Sequence, residues 1–518
     1  NRVFQPMHWA DVTARELLQR GDSHVLATAI TPSGPIHVGN MREVLTTEAV
    51  YRAIIDAGGQ AELIYIGDTF DPLRKVYPFL PDSYEEYVGL PLSEIPCPCG
   101  GHDSYAQHFL KPFLSSLKEL GVTPTVHLAH DLYRQGAYNE AIHAALDHAD
   151  DIRRILNSVS NRNLDEGWIP FTVRCPGCGQ LDGKVSTIEW PHVMFTCDAC
   201  GEEGTVNVED GGVGKLPWRV DWPARWKMFD VTFEAFGKDH AAAGGSWDTG
   251  QAIVQDVFNH ATPVPLVYEF IHLKGQGAMH GSTGTAIAAE DMLQMTPPEV
   301  LRFLLMKSEP SRHIEFDAGF GLLDLVDEYD RYERAYFGED VDLKEGNRIY
   351  ELSQPSWAPP EHLSVQVPYR HLVTVVQIAD GFDDMLAILR RNGEIDEIDK
   401  HGQRKLHERW EKVNYWLNHF APEAVQFEIQ DELPDINLSA EQQRFFTTLS
   451  QKIEDVPWNA ETIHQTIYDS AEEHGLSAGA AFQALYLILL GQKKGPRAGY
   501  FIHSLGKEFL LQRLSEAA

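Results

Sequence analysis

The sequence predicts an α/β chain: a parallel-sheet region first, with a small cysteine-rich insertion, then an all-α region. Three observations carry this. Residues 23–31 read as a short buried strand, a Pro/Gly turn follows at 31–35, a helical pattern begins at His37, and residues 60–66 read as the next strand. Strand, helix and strand at this length form a βαβ unit, which implies parallel pairing. Residues 175–200 are rich in Cys and Gly, the mark of an inserted module. From about residue 321 onward the apolar spacing is almost wholly helical.

Taken in order, residues 103–165 read as helical and polar, and residues 229–310 return to alternating strand and helix signals. Val267–Leu273 forms the clearest strand there. The Pro- and Ser-rich stretch 346–367 reads as a linker or long loop. The predicted domains are 1–320, a Rossmann-type parallel-sheet domain with its insertion at about 170–215, and 321–518, a helical domain.

Composition narrows the function classes. The chain has 518 residues, 43% hydrophobic and 23% charged, with a formal net charge of −33. That length calls for two or three cores. The charge excludes a general polyanion binder, since phosphate binding needs local cationic surface. It leaves room for a basic stripe that docks one nucleic acid. No apolar run is long enough to span a bilayer, and Asn1-Arg2-Val3-Phe4 carries no signal-peptide pattern. The expectation is a soluble cytoplasmic protein.

The six cysteines do not read as a disulfide framework. Cys175, Cys178, Cys197 and Cys200 form C-x₂-C-x₁₈-C-x₂-C, the zinc-ribbon spacing, in which each pair presents two thiolates from one tight turn. A closed four-thiolate site predicts structural Zn²⁺. Cys97 and Cys99 with His102 and His108 are set aside as a second metal site, because C-x-C is poor ligand spacing.

The most informative stretch is Thr31-Pro32-Ser33-Gly34-Pro35-Ile36-His37-Val38-Gly39-Asn40. A turn of small residues after a strand lets a nucleotide approach the backbone, and the helix that follows offers free N–H groups and a positive dipole end to phosphate. His37 sits where an imidazole can donate to an α-phosphate. Asn40 can donate from its amide, and Gly39 leaves room for an adenine base. An ordinary capped helix is the bland alternative for the isolated motif.

This segment resembles the HIGH signature of class I aminoacyl-tRNA synthetases, and with Arg42-Glu43 it looks like the archaeal-type class I lysyl enzyme. Colinear matches include His8-Trp9-Ala10-Asp11, Leu73-Arg74-Lys75-Val76, Trp218-Arg219-Val220-Asp221-Trp222-Pro223, Gly237-Lys238-Asp239-His240 and Gly495-Pro496-Arg497-Ala498-Gly499. The resemblance implies ATP-dependent activation of L-lysine, with Mg²⁺, and transfer to tRNA(Lys). It implies an ATP site of Pro32, Ser33, Gly34, His37, Gly39, Asn40, Asp239 and Met279, with His37 and Asn40 stabilising the transition state. It implies a lysine pocket of Ala29, Thr31, Trp218, His240 and Tyr268, where aromatic faces attract an ammonium group. Ala29 stands where the family generally has Gly. The helical region would bind the anticodon.

The family's mobile KMSKS-type loop matches Lys274 to Gly284 imperfectly. Ala278 and Thr283 stand where lysines are expected and His280 where serine is expected, while Met279 and Ser282 are retained. Losing one preorganised electrostatic partner costs about 2.7–4 kcal/mol of transition-state stabilisation. Either Lys274 or protonated His280, with Mg²⁺, takes over the phosphate charge, or the chain is a weakened, redirected or regulatory tRNA-binding paralogue. A nucleotidyltransferase without tRNA uses the same turn, but it would not need the long helical region.

Overall fold

The computed structural model describes residues 7–275, 286–339, 343 and 345–518, and the backbone alone of Gly277–Ala278. Met279, His280, Ser282 and Thr283, named above, lie outside the described residues. Two compact units form. The first holds 1–293, 298–316 and 341–359; the second holds 294–297, 317–340 and 360–518.

In the first unit, α1 (Trp9–Leu18) leads into β1 (Ser23–Ile30), α2 (Val38–Asp56) and β2 (Gln60–Gly67). α3 (Tyr105–Glu119) precedes β3 (Thr125–Leu128), and α4 (Ala129–Arg134), α5 (Asn139–Asp147) and α6 (Ala149–Ser160) follow. The strands β4 (Thr172–Arg174), β5 (Leu181–Glu189), β6 (His192–Cys197), β7 (Glu203–Asn207) and β8 (Gly214–Lys215) form a separate antiparallel sheet in the order β7-β6-β5-β4-β8. The chain then returns through α7 (Trp218–Met228), β9 (Phe233–Gly237), α8 (Ser246–Asp256) and β10 (Val264–Tyr268).

The main sheet runs β10-β9-β1-β2-β3 and is parallel throughout. β1 pairs with β2 along its whole length, from Ser23↔Gln60 to Ile30↔Gly67. Its interior residues Leu26 and Ala27 are buried on both faces, as covered parallel strands require. The chain builds outward from β1 to β2 and β3, then crosses to β9 and β10 on the other side. The switch point therefore lies between β1 and β9, and in such sheets ligands bind in the crevice at the carboxyl ends there.

Three details differ from the sequence reading. Residues 267–273 are two strands: β10 ends at Tyr268, and β11 (Ile271–Leu273) joins another sheet in the order β12-β11-β13, with β12 (Gly277–Ala278) and β13 (Ile314–Phe316). Glu269 breaks the run because its N–H donates to Pro310 O, outside both ladders. The polar stretch 103–165 contains the edge strand β3, whose exposed first residues hide its apolar alternation. The expected linker 346–367 opens with a helix.

After α9 (Ala289–Met295), α10 (Pro298–Met306) and α11 (Phe320–Tyr336), that helix is α12 (Gly346–Ser353). α12 packs in the first unit. Arg302 on α10 is fully buried and donates to Leu352 O at 2.7 and 3.0 Å, to Leu120 O at 3.1 Å and to Glu48 at 2.7 Å. Arg52, paired with the same Glu48, donates to Gln354 O at 2.6 Å and Pro355 O at 3.3 Å. Two guanidinium groups thus satisfy carbonyls that the end of a helix leaves orphaned. Gly121 must be glycine here: its φ is +75°, and a Cβ would fall 1.9 Å from Pro355 O.

Among the described residues the second unit is wholly helical. Its helices after α11 run from Tyr369–Ile378 to Lys507–Ala517 around a core that includes Phe445, Leu449, Ile467, Leu485 and Phe501. Trp416 is fully buried and donates to Ala318 O at 2.6 Å. Among the described residues no helix is long and apolar enough to cross a membrane.

Candidate active site

The turn 31–37 leaves β1 at the switch point and enters α2 with His37 as N-cap. The His37 N–H donates to the Asn40 side-chain oxygen at 3.3 Å, which fixes that side chain over the first turn. A Cβ at Gly39 would lie 2.7 Å from His37 Nδ1. The space expected for a base is therefore used first by this imidazole, which the glycine lets fold over the helix start. Gly34 serves a similar purpose: a Cβ there would lie 2.8 Å from Phe79 Cζ. Tyr105 OH donates to Ser33 O at 2.6 Å and pins the turn.

A cavity of about 250 Å³ opens beside the turn, lined by Thr31, Ser33, Gly34, His37, Asn40, Tyr77 and Phe79 among others. Pro32 is buried under it. The segment after the KMSKS-like loop is fastened here, since Val38 N–H donates to Ile287 O at 3.1 Å and Ala289 N–H to Ile36 O at 3.1 Å. At the loop's other end Lys274 is exposed, and its backbone N–H donates to Phe316 O at 2.9 Å. Both ends of the loop thus have fixed anchors.

A second cavity, of about 370 Å³, adjoins the first through Thr31. Its lining includes Ala29, Asp71, Arg74, Lys215, Trp218 and His240. Trp218 stacks on Trp222 at 5.4 Å, and His240 lies 6.1 Å from Trp218. His240 Nδ1 is 2.7 Å from Ser246 Oγ, and burial lowers its pKa, which favours the neutral ring. Thr31 Oγ1 donates to Asp71 at 3.0 Å, and Asp71 is also paired with Lys215. Burial raises the Asp71 pKa, but the charge and hydrogen bond of Lys215, with Arg225 and the Thr31 hydroxyl, together outweigh it and hold the group below the usual carboxylate range. Asp239 is more than half exposed, 3.7 Å from His240 Nε2.

Tyr268 is not in the cavity lining. It is buried, and its OH donates to Glu43 at 3.1 Å. The other Glu43 oxygen accepts from the Ala29 N–H at 3.0 Å. Glu43 is partly buried, and among the described residues no cation is bonded to it; burial, with Glu234 nearby, pushes its pKa up to about 8. Glu234, held by Trp222 at 2.9 Å and Trp226 at 2.7 Å, is raised by burial to about 7. Sequence reasoning quoted Glu43 without giving it a role. Its signal was slight: a glutamate beside Met41, Val44 and Leu45, all buried, in a helix that also buries Glu48.

The insertion brings Cys175, Cys178, Cys197 and Cys200 together, all four sulfurs within 4.8 Å of one another. Cys175 Sγ lies 3.6 Å from Cys200 Sγ, and Cys178 Sγ 3.7 Å from Cys197 Sγ. A tetrahedron with metal–sulfur bonds of about 2.3 Å has edges of roughly 3.8 Å. The same turn occurs twice: Gly179 N–H donates to Cys175 O and Gly201 N–H to Cys197 O, both at 2.8 Å, and both glycines are left-handed.

The set-aside group needs correcting. Cys97, Cys99, His102 and His108 also converge within 4.8 Å, with S–S and S–N distances of 3.3–3.5 Å. The chain reverses at left-handed Gly100, and the first turn of α3 carries His108 back beside the two thiols. The short C-x-C spacing is rescued by that reversal, which spacing alone did not reveal.

Comparison with known proteins agrees with this geometry. Residues 7–356 match a family profile described as tRNA synthetases class I (K), and residues 401–518 match one described as anticodon binding domain. The lysine--tRNA ligase of Methanosarcina barkeri is 45% identical, the alignment covering 99% of this chain and 98% of that one. That of Archaeoglobus fulgidus is 43% identical over 99% and 100%, and that of Methanocaldococcus jannaschii 44% over 98% and 99%. With a nucleotide-type turn at the switch point, an aromatic cavity beside it and relatives matched from end to end, the chain belongs to the class I (K) tRNA synthetases.

Proposed function

We propose that this chain activates L-lysine with ATP and transfers it to tRNA(Lys) in the cytoplasm. The observation that carries the reading is the pair of adjoining cavities that share Thr31, one beside a helix N-terminus and one walled by Trp218 and His240. An amino acid in the second would present its carboxylate to a nucleotide phosphate in the first. The lysine carboxylate attacks the α-phosphorus, His37 and Asn40 meet the developing charge, and pyrophosphate leaves with Mg²⁺. Pro32, Ser33, Gly34, Gly39, Asp239 and Met279 complete the ATP site, with Ser282 in its loop. A tRNA terminal hydroxyl then attacks the acyl carbon, the acyl–phosphate bond breaks and AMP leaves. Positioning and preorganised electrostatics supply the acceleration.

Glu43 extends the lysine pocket beyond Ala29, Thr31, Trp218, His240 and Tyr268. A partly buried carboxyl that bonds the Ala29 N–H, and has no cation bonded to it among the described residues, is suited to the ε-ammonium group. Both thiol clusters are assigned structural Zn²⁺, which braces the loops around the site. The helical unit carries anticodon recognition.

Pyrophosphate exchange measured with each amino acid tests the reading. Exchange with lysine alone is expected, and Lys274→Ala abolishes it. Because Ala278 and Thr283 replace the expected lysines, a noncatalytic tRNA-binding paralogue is the second reading; tRNA binding with no exchange for any amino acid would establish it instead.

A further inference from the structure

The segment Pro72–Phe79 runs beside both cavities. Pro72 and Arg74 line the cavity that holds Trp218 and His240, and Tyr77 and Phe79 line the one beside His37. An adenylate formed between the cavities would place its acyl carbon near Thr31, beside this segment. Tyr77 and Phe79 stack with ring centroids 5.5 Å apart and planes 7° from parallel. Phe109 meets Phe79 edge-on at 5.6 Å, and Gly34 presses on its rim. The ring is held from three sides yet stays 40% exposed, a rare state for phenylalanine in this chain. Lys75 lies over Tyr77 at 5.7 Å, and Arg74 and Lys75 are both exposed. Neither makes a carboxylate ion pair among the described residues. In a chain of net charge −33, two open cations next to one exposed ring and one half-buried ring are a local exception.

We infer that Tyr77 and Phe79 form a stacking platform for the 3′-terminal base of the acceptor RNA, with Arg74 and Lys75 taking the phosphates just before it. This deepens, and rests on, the proposed transfer to tRNA. A single-stranded end offers a π-face and closely spaced phosphates, and aromatic side chains beside open cations are the pair of features that binds it. Protein side chains fill neither cavity, and the platform leads to the point where the terminal ribose has to arrive.

The test is a cycle of enzyme and RNA variants. In Phe79→Ala, aminoacylation kcat/KM for tRNA is expected to fall about 5- to 150-fold, the range of one base–aromatic stack, a loss several-fold larger than any in lysine-dependent pyrophosphate exchange on the same variant, since Phe79 also lines the cavity beside His37. A tRNA whose 3′-terminal residue lacks its base should penalise the wild type by the same factor and Phe79→Ala by no more than about twofold. Phe79→Trp should restore charging, and Phe79→Leu, which keeps the apolar volume, should not; an unchanged thermal midpoint shows that each variant folds. Loss of exchange in step with charging would overturn the inference, because the rings would then serve ATP. So would an abasic penalty equal in both enzymes. A wild type with no exchange would refute the lysine-activating reading instead, and the same cycle run on tRNA binding would still judge the platform.

Discussion

Replacing Glu43 by Gln should stabilise the ligand-free protein and disable it. The unfolded carboxyl titrates near 4.5 and the buried one at about 8. Between those values the folded chain holds a proton that the unfolded chain releases, so stability falls as pH rises through this window. At 1.36 kcal/mol per pKa unit, the wild type loses about 3–4 kcal/mol between pH 5 and pH 8 from this group alone. The glutamine of Glu43→Gln carries no titrating proton and keeps an acceptor for the Ala29 N–H. The stability difference between variant and wild type should therefore be small at pH 5 and grow towards that figure at pH 8, read from the unfolding transition of the first unit. The functional cost follows from the same burial. A bound ammonium group lowers the Glu43 pKa, so lysine binding at pH 7 should release close to one proton, seen as a buffer-dependent binding enthalpy. Glu43→Gln should bind lysine at least 100-fold more weakly, since truncating a buried charge pair costs about 3–5 kcal/mol, and should release no proton. A variant whose stability tracks the wild type at every pH would refute the assignment of a protonated carboxyl here.

Arg302→Met should lower the stability of the first unit by about 3–5 kcal/mol, because Leu120 O, Leu352 O and Glu48 lose a buried donor; hydrogen exchange should quicken first in α12. Metal analysis should find two zinc equivalents per chain, with Cys178→Ala and Cys99→Ala each losing one. Zinc retained in full by Cys99→Ala would remove the Cys97 group from the metal sites. Gly121→Ala should be destabilising by more than the roughly 1 kcal/mol of an ordinary backbone substitution, since its Cβ meets the Pro355 carbonyl, and a thermal midpoint indistinguishable from wild type would contradict that packing.

Much of the fold was legible because parallel strands buried on both faces read as apolar runs. β1 and β2 end within a residue of their expected positions for that reason. β3 was hidden by an exposed edge, and the break at Glu269 depends on the carbonyl of Pro310, far along the chain. The turn at 31–40 and the Cys175 group were visible as local spacing. The Cys97 group was not, because its ligands meet only after a left-handed glycine and a helix start have turned the chain twice. Glu43 illustrates the general difficulty. In one dimension it is an ordinary helical glutamate, and only the packing of β1 and β10 around it gives it a raised pKa.

The path of α12 has a consequence for anyone who cuts or splices this gene. The chain leaves the first unit at residue 316, comes back for 341–359 and leaves again. A fragment that stops at residue 320 would strand Arg52 and Arg302 without their acceptors at Leu352, Gln354 and Pro355, and would be expected to aggregate rather than report on catalysis. Chimaeras that exchange anticodon specificity between relatives therefore need two junctions, one either side of the returning helix, or a single junction placed beyond residue 359.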